Sequence, residues 1–324
     1  MKRDVLNVKF ATILFLLLIF SVSLYSYDKL VTYTAPQGAL LNQNFSVRVR
    51  QVPNHLIKVD EVRETKHHVE EASMAYFDFS GEVEVSVTFN NGPIRKTRIR
   101  PLSYGIEPTV EGNRLTFKLD QPRNLSVEVN DDIFHNLHLF ANPMIENIPD
   151  RNDPDVIFFG PGIHEFEDNK FEVPSNKTVY IDGGAILRGQ LLIQNAENVN
   201  VIGSGMVEHT VKMGVHIANS KNIGVEGIFT TQCATGGSDR VTIRNVKSIS
   251  YYGWGDGLNV FASNNVFFDR VFCRNSDDCT TVYATRKGFE GGCRNIVMEN
   301  STLWADVAHP IMIGIHGNAQ NFDI

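Results

Sequence analysis

The chain has 324 residues, 42% of them hydrophobic, and a formal net charge of -7 at pH 7. This length favours two domains, and the hydrophobic share suffices for packed cores without indicating a bundle of membrane helices. The acidic balance excludes the basic surface that binding to a phosphate backbone requires, so we expect no nucleic-acid partner.

Residues 1–26 have the pattern of a secretory signal peptide. Lys2, Arg3 and Lys9 accompany an apolar run over residues 10–24. The run is shorter than the roughly 20 residues that cross a bilayer, which favours cleavage, with an uncleaved anchor as the alternative. We therefore expect a secreted or periplasmic protein with no membrane attachment beyond the export signal.

Short alternating runs dominate residues 27–142. Apolar and polar side chains alternate, for example at 45–50, 83–89 and 114–119, and turn sequences such as Asn-Asn-Gly-Pro at 90–93 separate the runs. Short strands joined by tight turns predict an N-terminal antiparallel β-sandwich. Nothing in this region has the arrangement of a catalytic site.

A repeat begins after residue 143, where Gly-rich turns alternate with apolar β-branched runs. Runs opened by Asn or Arg start at 198, 222, 240, 265, 295 and 321, in steps of 24, 18, 25, 30 and 26 residues. This period, without helical periodicity, predicts a right-handed parallel β-helix over 143–324, with asparagines stacked at the coil starts. The fold class is therefore all-β. A sandwich or propeller with coincidental spacing is the alternative.

The last residues, 321–324, have the sequence of a strand that opens another coil. We therefore expect an incomplete domain from a longer protein.

The four cysteines are Cys233, Cys273, Cys279 and Cys293, and none of them forms a CxxC pair. In an exported protein a disulfide is favoured. We predict a bridge between Cys279 and Cys293, which would close the loop 285–292, with four free thiols as the alternative. No His cluster has zinc-binding spacing, so we expect no metal and no cofactor.

Three aspartates are expected to share one groove. Asp256 and Asp277 are 21 residues apart, about one coil, and Asp278 follows directly. Adjacent strands of a sheet lie about 4.8 Å apart, so side chains one coil apart meet. Clustered carboxylates raise at least one pKa, which leaves a protonated acid beside an ionised base. Inverting glycoside hydrolysis needs such a pair, roughly 6.5–9.5 Å apart. A solvated turn or a calcium site is the alternative for the aspartate pair.

The order of motifs resembles the polygalacturonase family, glycoside hydrolase family 28. An Asp-Gly pair begins at Asp256, an Asp-Asp-Cys run begins at Asp277, and a coil containing His309 then leads into an apolar strand ending in Gly. The resemblance covers residues 155–324. It implies an inverting hydrolase of an α-linked polysaccharide, above all pectin or polygalacturonan. It also implies that Asp277 is the general acid, that Asp256 and Asp278 activate the water, and that His309 tunes or orients the acid.

The sequence also departs from that family. Gly255 stands where the family has the Thr of Asn-Thr-Asp, and Ala308 and Pro310 replace the glycines beside the histidine. The family's downstream Arg-Ile-Lys, which binds the sugar carboxylate, has no counterpart before Ile324. A sandwich joined to a β-helix also resembles the dextranase and isopullulanase family, glycoside hydrolase family 49. A dextran- or pullulan-type α-glucan hydrolase is therefore the alternative.

Four further side chains are predicted to bind substrate: Trp254, Arg286, Lys287 and His316. Trp254 offers an aromatic face for a sugar ring, with capping of the solenoid core as the alternative. Arg286 and Lys287 offer charges for an anionic sugar, with a charged loop tip as the alternative. His316 competes with His309 for its role. A calcium-dependent lyase and a non-catalytic carbohydrate-binding solenoid are the competing functions. We expect a monomer whose partner is a polysaccharide substrate.

Overall fold

The structure is a computed structural model, and it describes residues 29–49, 51–52, 55–63, 66–208 and 213–317. The predicted signal peptide and the predicted strand at 321–324 lie outside the described residues. Within the described ranges the regular structure is all strand, apart from one 3-10 turn at Leu102–Tyr104, which confirms the all-β prediction. No helix in this part of the chain is long and apolar enough to cross a membrane.

Two sheets form the N-terminal β-sandwich. Across the first lie Gln51–Val52, Phe45–Arg48, Val83–Phe89, Arg114–Leu119 and Thr109–Glu111. Across the second lie Lys29–Thr32, Lys66–Ser80, Asp132–Pro143, Arg123–Val129 and Thr97–Arg100, with His55–Arg63 also paired to Lys66–Ser80. Alternation along the strands turns Val85 and Val87 inward, where they join the core that contains Leu125 and Leu139. The pairs are antiparallel except at the centre of the second sheet, where Leu137 lies parallel to Ser73.

A right-handed parallel β-helix follows, as predicted. Its first sheet contains Val156–Phe159, Thr178–Ile181, Glu197–Gly203, Lys221–Glu226, Asp239–Arg244, Asn264–Asp269 and Arg294–Glu299. Gly162–Glu172 and Ala185–Gln194 each run through the second and the third sheet. The second sheet continues with Met206–Glu208, Phe229–Thr230, Lys247–Ile249, Phe272–Asn275 and Thr302–Ala305. The third continues with Met213–Ala218, Gln232–Gly236, Leu258–Phe261, Thr280–Tyr283 and Ile311–Ile313. A hairpin of Thr285–Arg286 and Phe289–Glu290 leaves the third sheet.

Stacked apolar side chains fill the interior of the solenoid. Within the first sheet, registers place Val201 beside Val225, Val225 beside Ile243, and Ile243 beside Phe268, and all four are buried. A single coil has no partner for these side chains, so coil stacking supplies the hydrophobic stabilisation. Full burial of such a side chain contributes about 1.5–3 kcal/mol.

An amide ladder marks the coil starts, which confirms the predicted asparagine stacking. Asn198 donates from Nδ2 to Oδ1 of Asn176 at 3.0 Å, and Asn222 donates to Asn198 at 3.0 Å. The ladder is repeated between Asn295 and Asn265 at 2.9 Å. All five residues have positive φ, between 54° and 61°, and Asn tolerates this conformation better than most residues.

The sandwich and the solenoid are joined by a buried interface. Phe140 of the sandwich packs with Phe229 and Phe272 of the solenoid. Two buried cations also cross this interface: Lys247 donates from Nζ to Oδ1 of Asn142 at 2.6 Å, and Arg274 donates to Oδ1 of Asn136 at 2.8 Å. These contacts fix the solenoid against the sandwich.

Candidate active site

Three successive rungs of the third sheet bring the predicted site residues together. Leu258 lies beside Thr280, and Thr280 lies beside Ile311. Asp256, Asp278 and His309 each stand two residues before these paired positions, so all three occupy the same position on adjacent rungs. The amide of Gly257 donates to the Asp278 carbonyl at 2.9 Å, which continues the register back to the carboxylates.

Asp278 is held by several donors. The backbone amide of His309 donates to its Oδ1 at 3.1 Å, and the His309 ring Nδ1 lies 2.9 Å from the same oxygen. Tyr283 donates its hydroxyl to Oδ2 at 3.3 Å. The resemblance assigned His309 to Asp277, whereas these contacts place its ring on Asp278. Together these contacts fix the orientation of the Asp278 carboxylate.

Asp256 is half-buried beside two other carboxyl groups. Burial raises its pKa, and the neighbouring Asp277 and then Asp278 raise it further, to about 6. A hydrogen bond from Asn259 Nδ2 to Asp256 Oδ2, at 3.1 Å, and the Lys287 charge act in the other direction. The site therefore places a carboxyl whose pKa is raised to about 6 beside a second carboxylate, Asp278, that accepts several hydrogen bonds.

Sequence reasoning missed three polar residues of the site. Thr281 donates from Oγ1 to Asn259 Oδ1 at 2.8 Å, and this bond orients the Asn259 amide toward Asp256. Tyr283 contacts Asp278, as described above. Asn259, Thr281 and Tyr283 lie on short strands whose neighbouring residues fill the core. The sequence of these strands therefore predicts a buried strand and gives no indication of a functional site. The available signal was strand alternation, which turns Asn259, Thr281 and Tyr283 away from the buried Val260 and Val282.

The predicted substrate-binding residues lie around this cluster. Trp254 is 73% exposed, and its carbonyl accepts a hydrogen bond from Gln232 Nε2 at 2.8 Å. Lys287 lies on the hairpin after the third sheet, close enough to Asp256 to lower its pKa. The charge of Arg286, the preceding residue, lowers the pKa of Tyr283, which burial raises. The His316 ring meets the Tyr283 ring edge-on, with centroids 4.8 Å apart.

Crowding explains the glycine that departs from the family motif. A Cβ on Gly255 would lie 2.3 Å from the Ser276 Oγ and 2.6 Å from the Tyr252 carbonyl oxygen. The Ser276 hydroxyl donates to that same carbonyl at 2.6 Å. A threonine at position 255 would therefore displace a hydroxyl that already braces the loop before Asp256.

The predicted disulfide is wrong. Cys279 and Cys293 are both free and buried, as are Cys233 and Cys273. Cys293 donates its Sγ hydrogen to the Tyr283 carbonyl at 3.4 Å. Stacking of the coils already fixes these strands, so the thiols act as small core residues. In the described part of the chain, no group of three or more His, Cys, Asp or Glu side chains is arranged to hold a metal ion.

Comparisons with known proteins give fold-level similarity only. No protein-family model matches the sequence, and no curated protein matches it. Among solved structures, the chain is similar to Dex49A from Penicillium minioluteum, with 10% identity, TM-score 0.47, and coverage of 90% of this chain and 86% of that one. It is also similar to a Family 28 exopolygalacturonase of Yersinia enterocolitica, with 10% identity, TM-score 0.30, and coverage of 76% and 86%. At these values the similarities carry no argument about activity, which has to come from the site.

Proposed function

We propose that this chain is an inverting glycoside hydrolase that cleaves an α-linked polysaccharide. The observation that carries the proposal is the convergence of Asp256, Asp277 and Asp278 on two adjacent rungs, with unequal surroundings. Burial and the acidic neighbours raise the pKa of Asp256 to about 6, while Asp278 accepts hydrogen bonds from His309 and Tyr283. Acid and base roles divided between carboxyl groups are what glycosidic cleavage requires.

The roles follow the family resemblance. Asp277 donates a proton to the leaving oxygen, and Asp256 together with Asp278 accepts a proton from the attacking water. Inversion then results from attack on the face of the sugar opposite the leaving group. His309 and Tyr283 hold Asp278 in place, and Asn259 holds Asp256.

Pectin or polygalacturonan is the proposed substrate, because the cations Arg286 and Lys287 lie beside the acidic cluster and suit a sugar carboxylate. An α-glucan of the dextran or pullulan type is the second candidate. It is favoured by the sandwich packed on the solenoid and by the exposed Trp254 face, which suits a neutral ring.

Reducing ends released from polygalacturonate, dextran and pullulan test the proposal, with proton NMR reporting the anomeric form released first. The Asp277→Asn variant should lose about a hundredfold to ten-thousandfold of the rate on the active substrate. Asp168→Asn, an exposed aspartate elsewhere on the solenoid, is the matched control and should retain full activity. Unchanged release by Asp277→Asn would remove Asp277 from the acid role. Calcium-dependent unsaturated products would indicate a lyase, and polysaccharide binding without any cleavage would indicate a carbohydrate-binding solenoid.

We also propose export of the protein, on the charge and hydropathy pattern of residues 1–26. N-terminal sequencing of the protein recovered outside the cytoplasm should show cleavage near residue 26. Recovery only of a cell-bound chain that retains its first residues would contradict cleavage.

A further inference from the structure

A cavity lies in the seam between the sandwich and the solenoid. Its volume is about 560 Å³, within the range of small-ligand clefts. It shares no lining residue with the carboxylate cluster, because it opens beside the ends of the first-sheet strands rather than at the start of the third sheet. It is therefore a separate candidate site.

The solenoid wall of this cavity is a ladder. The registers pair Arg244 with Asp269 and Asp269 with Glu299. The residues that follow them, listed from one coil to the next, are Asn245, Arg270 and Asn300, and all three have positive φ between 49° and 54°. Three hydrogen-bonding side chains thus repeat along the seam at the strand spacing of about 4.8 Å. A ladder of this kind suits a linear ligand that runs along the solenoid axis.

The sandwich wall presents an oriented cation. The Arg123 guanidinium lies over the Tyr104 ring, 4.1 Å from its centroid, and such stacking holds the guanidinium plane in place. Asn124 donates from Nδ2 to the Arg270 carbonyl at 3.2 Å, which fixes the two walls relative to each other. The sandwich side of the cavity is therefore preorganised in the absence of a ligand.

The charges of the cavity have one sign. No carboxylate lines it, although the chain contains 37 acidic residues. Arg270 pairs with Asp269 at 3.0 Å, whereas Arg123 has no carboxylate within 4.0 Å among the described residues. Acidic side chains, including Glu107 and Asp120, line a separate depression on the other side of Arg123. Arg123 lines both the seam cavity and this depression, and without an ion-pair partner in the described part of the chain its guanidinium is available to the seam.

We propose that the seam cavity binds an acidic oligosaccharide, a linear saccharide that carries carboxylates. A guanidinium binds a carboxylate through two parallel hydrogen bonds. Gln121, Asn245 and Asn300 line the cavity with amides, which both donate and accept, as sugar hydroxyls do. Asn300 uses one N–H for Asp269 Oδ1, at 3.1 Å, and keeps its carbonyl oxygen and second N–H. This site holds a polysaccharide chain away from the carboxylate cluster, and it does not depend on that cluster being catalytic.

Calorimetry on the full chain carrying Asp277→Asn tests this proposal, because that background limits cleavage of the ligand. The probe is a tetramer of galacturonic acid, and a tetramer of α-1,6-linked glucose is the neutral comparison. Adding Arg123→Gln should remove one bound acidic tetramer per chain, or weaken it about tenfold. Ser103→Trp, which fills the cavity from an exposed position on its rim, should do the same. Arg114→Gln is the matched control, an exposed arginine paired with Glu111, and should change nothing.

Unchanged binding of the acidic tetramer in both Arg123→Gln and Ser103→Trp, with both variants folded by thermal melting, would overturn the proposal. Equal binding of the neutral tetramer, lost equally in Arg123→Gln, would also overturn it. If the carboxylate cluster binds no sugar, the background protein binds one acidic tetramer and Arg123→Gln binds none. Failure of the hydrolase proposal therefore stays distinguishable from failure of this one.

Discussion

Two stacks of polar side chains run along the same solenoid, and they differ in how their hydrogen bonds are satisfied. In the amide ladder of the first sheet, Asn222 donates to Asn198 and Asn198 donates to Asn176. The N–H of one amide therefore meets the carbonyl oxygen of the amide on the neighbouring rung. At the start of the third sheet the stacked groups include Asp256 and Asp278. Ionised carboxylates only accept, so each depends on donors from other residues.

The difference separates structural from functional stacking. An amide ladder has no net charge and satisfies itself, so it stabilises the coils. A carboxylate stack repels itself, and burial together with this repulsion raises the Asp256 pKa. A protein gains no stability from such a stack, and this arrangement is typical of a site where acid and base are needed.

The largest predicted effect breaks the carboxylate stack. Asp278→Asn should lower the turnover rate about a hundredfold to ten-thousandfold, because it removes a proposed proton acceptor. The melting temperature should stay within a few degrees of the parent, since the amide retains contacts with His309 and Tyr283 and the repulsion with Asp256 is gone. Initial rates on the active polysaccharide, together with thermal melting, measure both quantities. Full activity in a folded Asp278→Asn protein would contradict the assigned role.

The second prediction concerns pH. Asp256 acts as a base only when it is ionised, and its pKa is raised to about 6. Turnover should therefore fall as the pH drops through about 6, by about tenfold per pH unit below it. If Asp256 instead supplied the proton, turnover would fall as the pH rises through the same value. The pH profile of the turnover rate separates the two roles, and the Asp168→Asn protein should show the parental profile.

The third prediction breaks the amide ladder. Asn222→Ala removes the hydrogen bond donated to Asn198 and the one accepted from Arg240. It also leaves alanine at φ 57°, a conformation that asparagine tolerates better than alanine does. The free energy of unfolding should fall by about 2 kcal/mol, with turnover unchanged at temperatures where the protein is folded. Asn222→Gly loses the same bonds, but glycine tolerates the positive φ. Its free energy of unfolding, measured by denaturant titration, should therefore lie between those of the parent protein and Asn222→Ala. A loss of turnover in folded Asn222→Ala would show that the first-sheet stack also serves the site.

The smallest predicted effect concerns the bond from Thr281 to Asn259. Thr281→Val keeps the shape but frees the Asn259 amide, so Asp256 loses part of its hydrogen bonding. Its pKa should rise, the acidic limb of the pH profile should move to higher pH, and turnover at pH 6 should fall about tenfold. Thr281→Ser should restore the parental profile. Thr235→Val is the matched control, because the Thr235 hydroxyl is buried without a partner in the described part of the chain. If the acidic limb of the Thr281→Val pH profile stays at the parental pH, Thr281 does not position Asn259 for Asp256.

The sequence alone was sufficient for the features that depend on periodicity. Alternation along strands predicted the sandwich, and the repeated coil starts predicted the β-helix and its asparagine stacking. One coil of separation predicted that the Asp277–Asp278 pair would lie one rung from Asp256, because coil stacking turns sequence spacing into distance, and the register puts Asp278 level with Asp256. Residues 1–26 stay a prediction, since they lie outside the described residues.

Only the tertiary structure decided which side chain contacts which. Sequence spacing gives the rung but not the direction of a side chain, so it did not place His309 on Asp278 or link Thr281 to Asn259. It also suggested a disulfide between Cys279 and Cys293, where both thiols are free. The Arg123 side of the seam cavity lies more than a hundred residues from Arg270 along the chain. No local pattern brings those residues together, because docking of two separately formed cores creates the cavity.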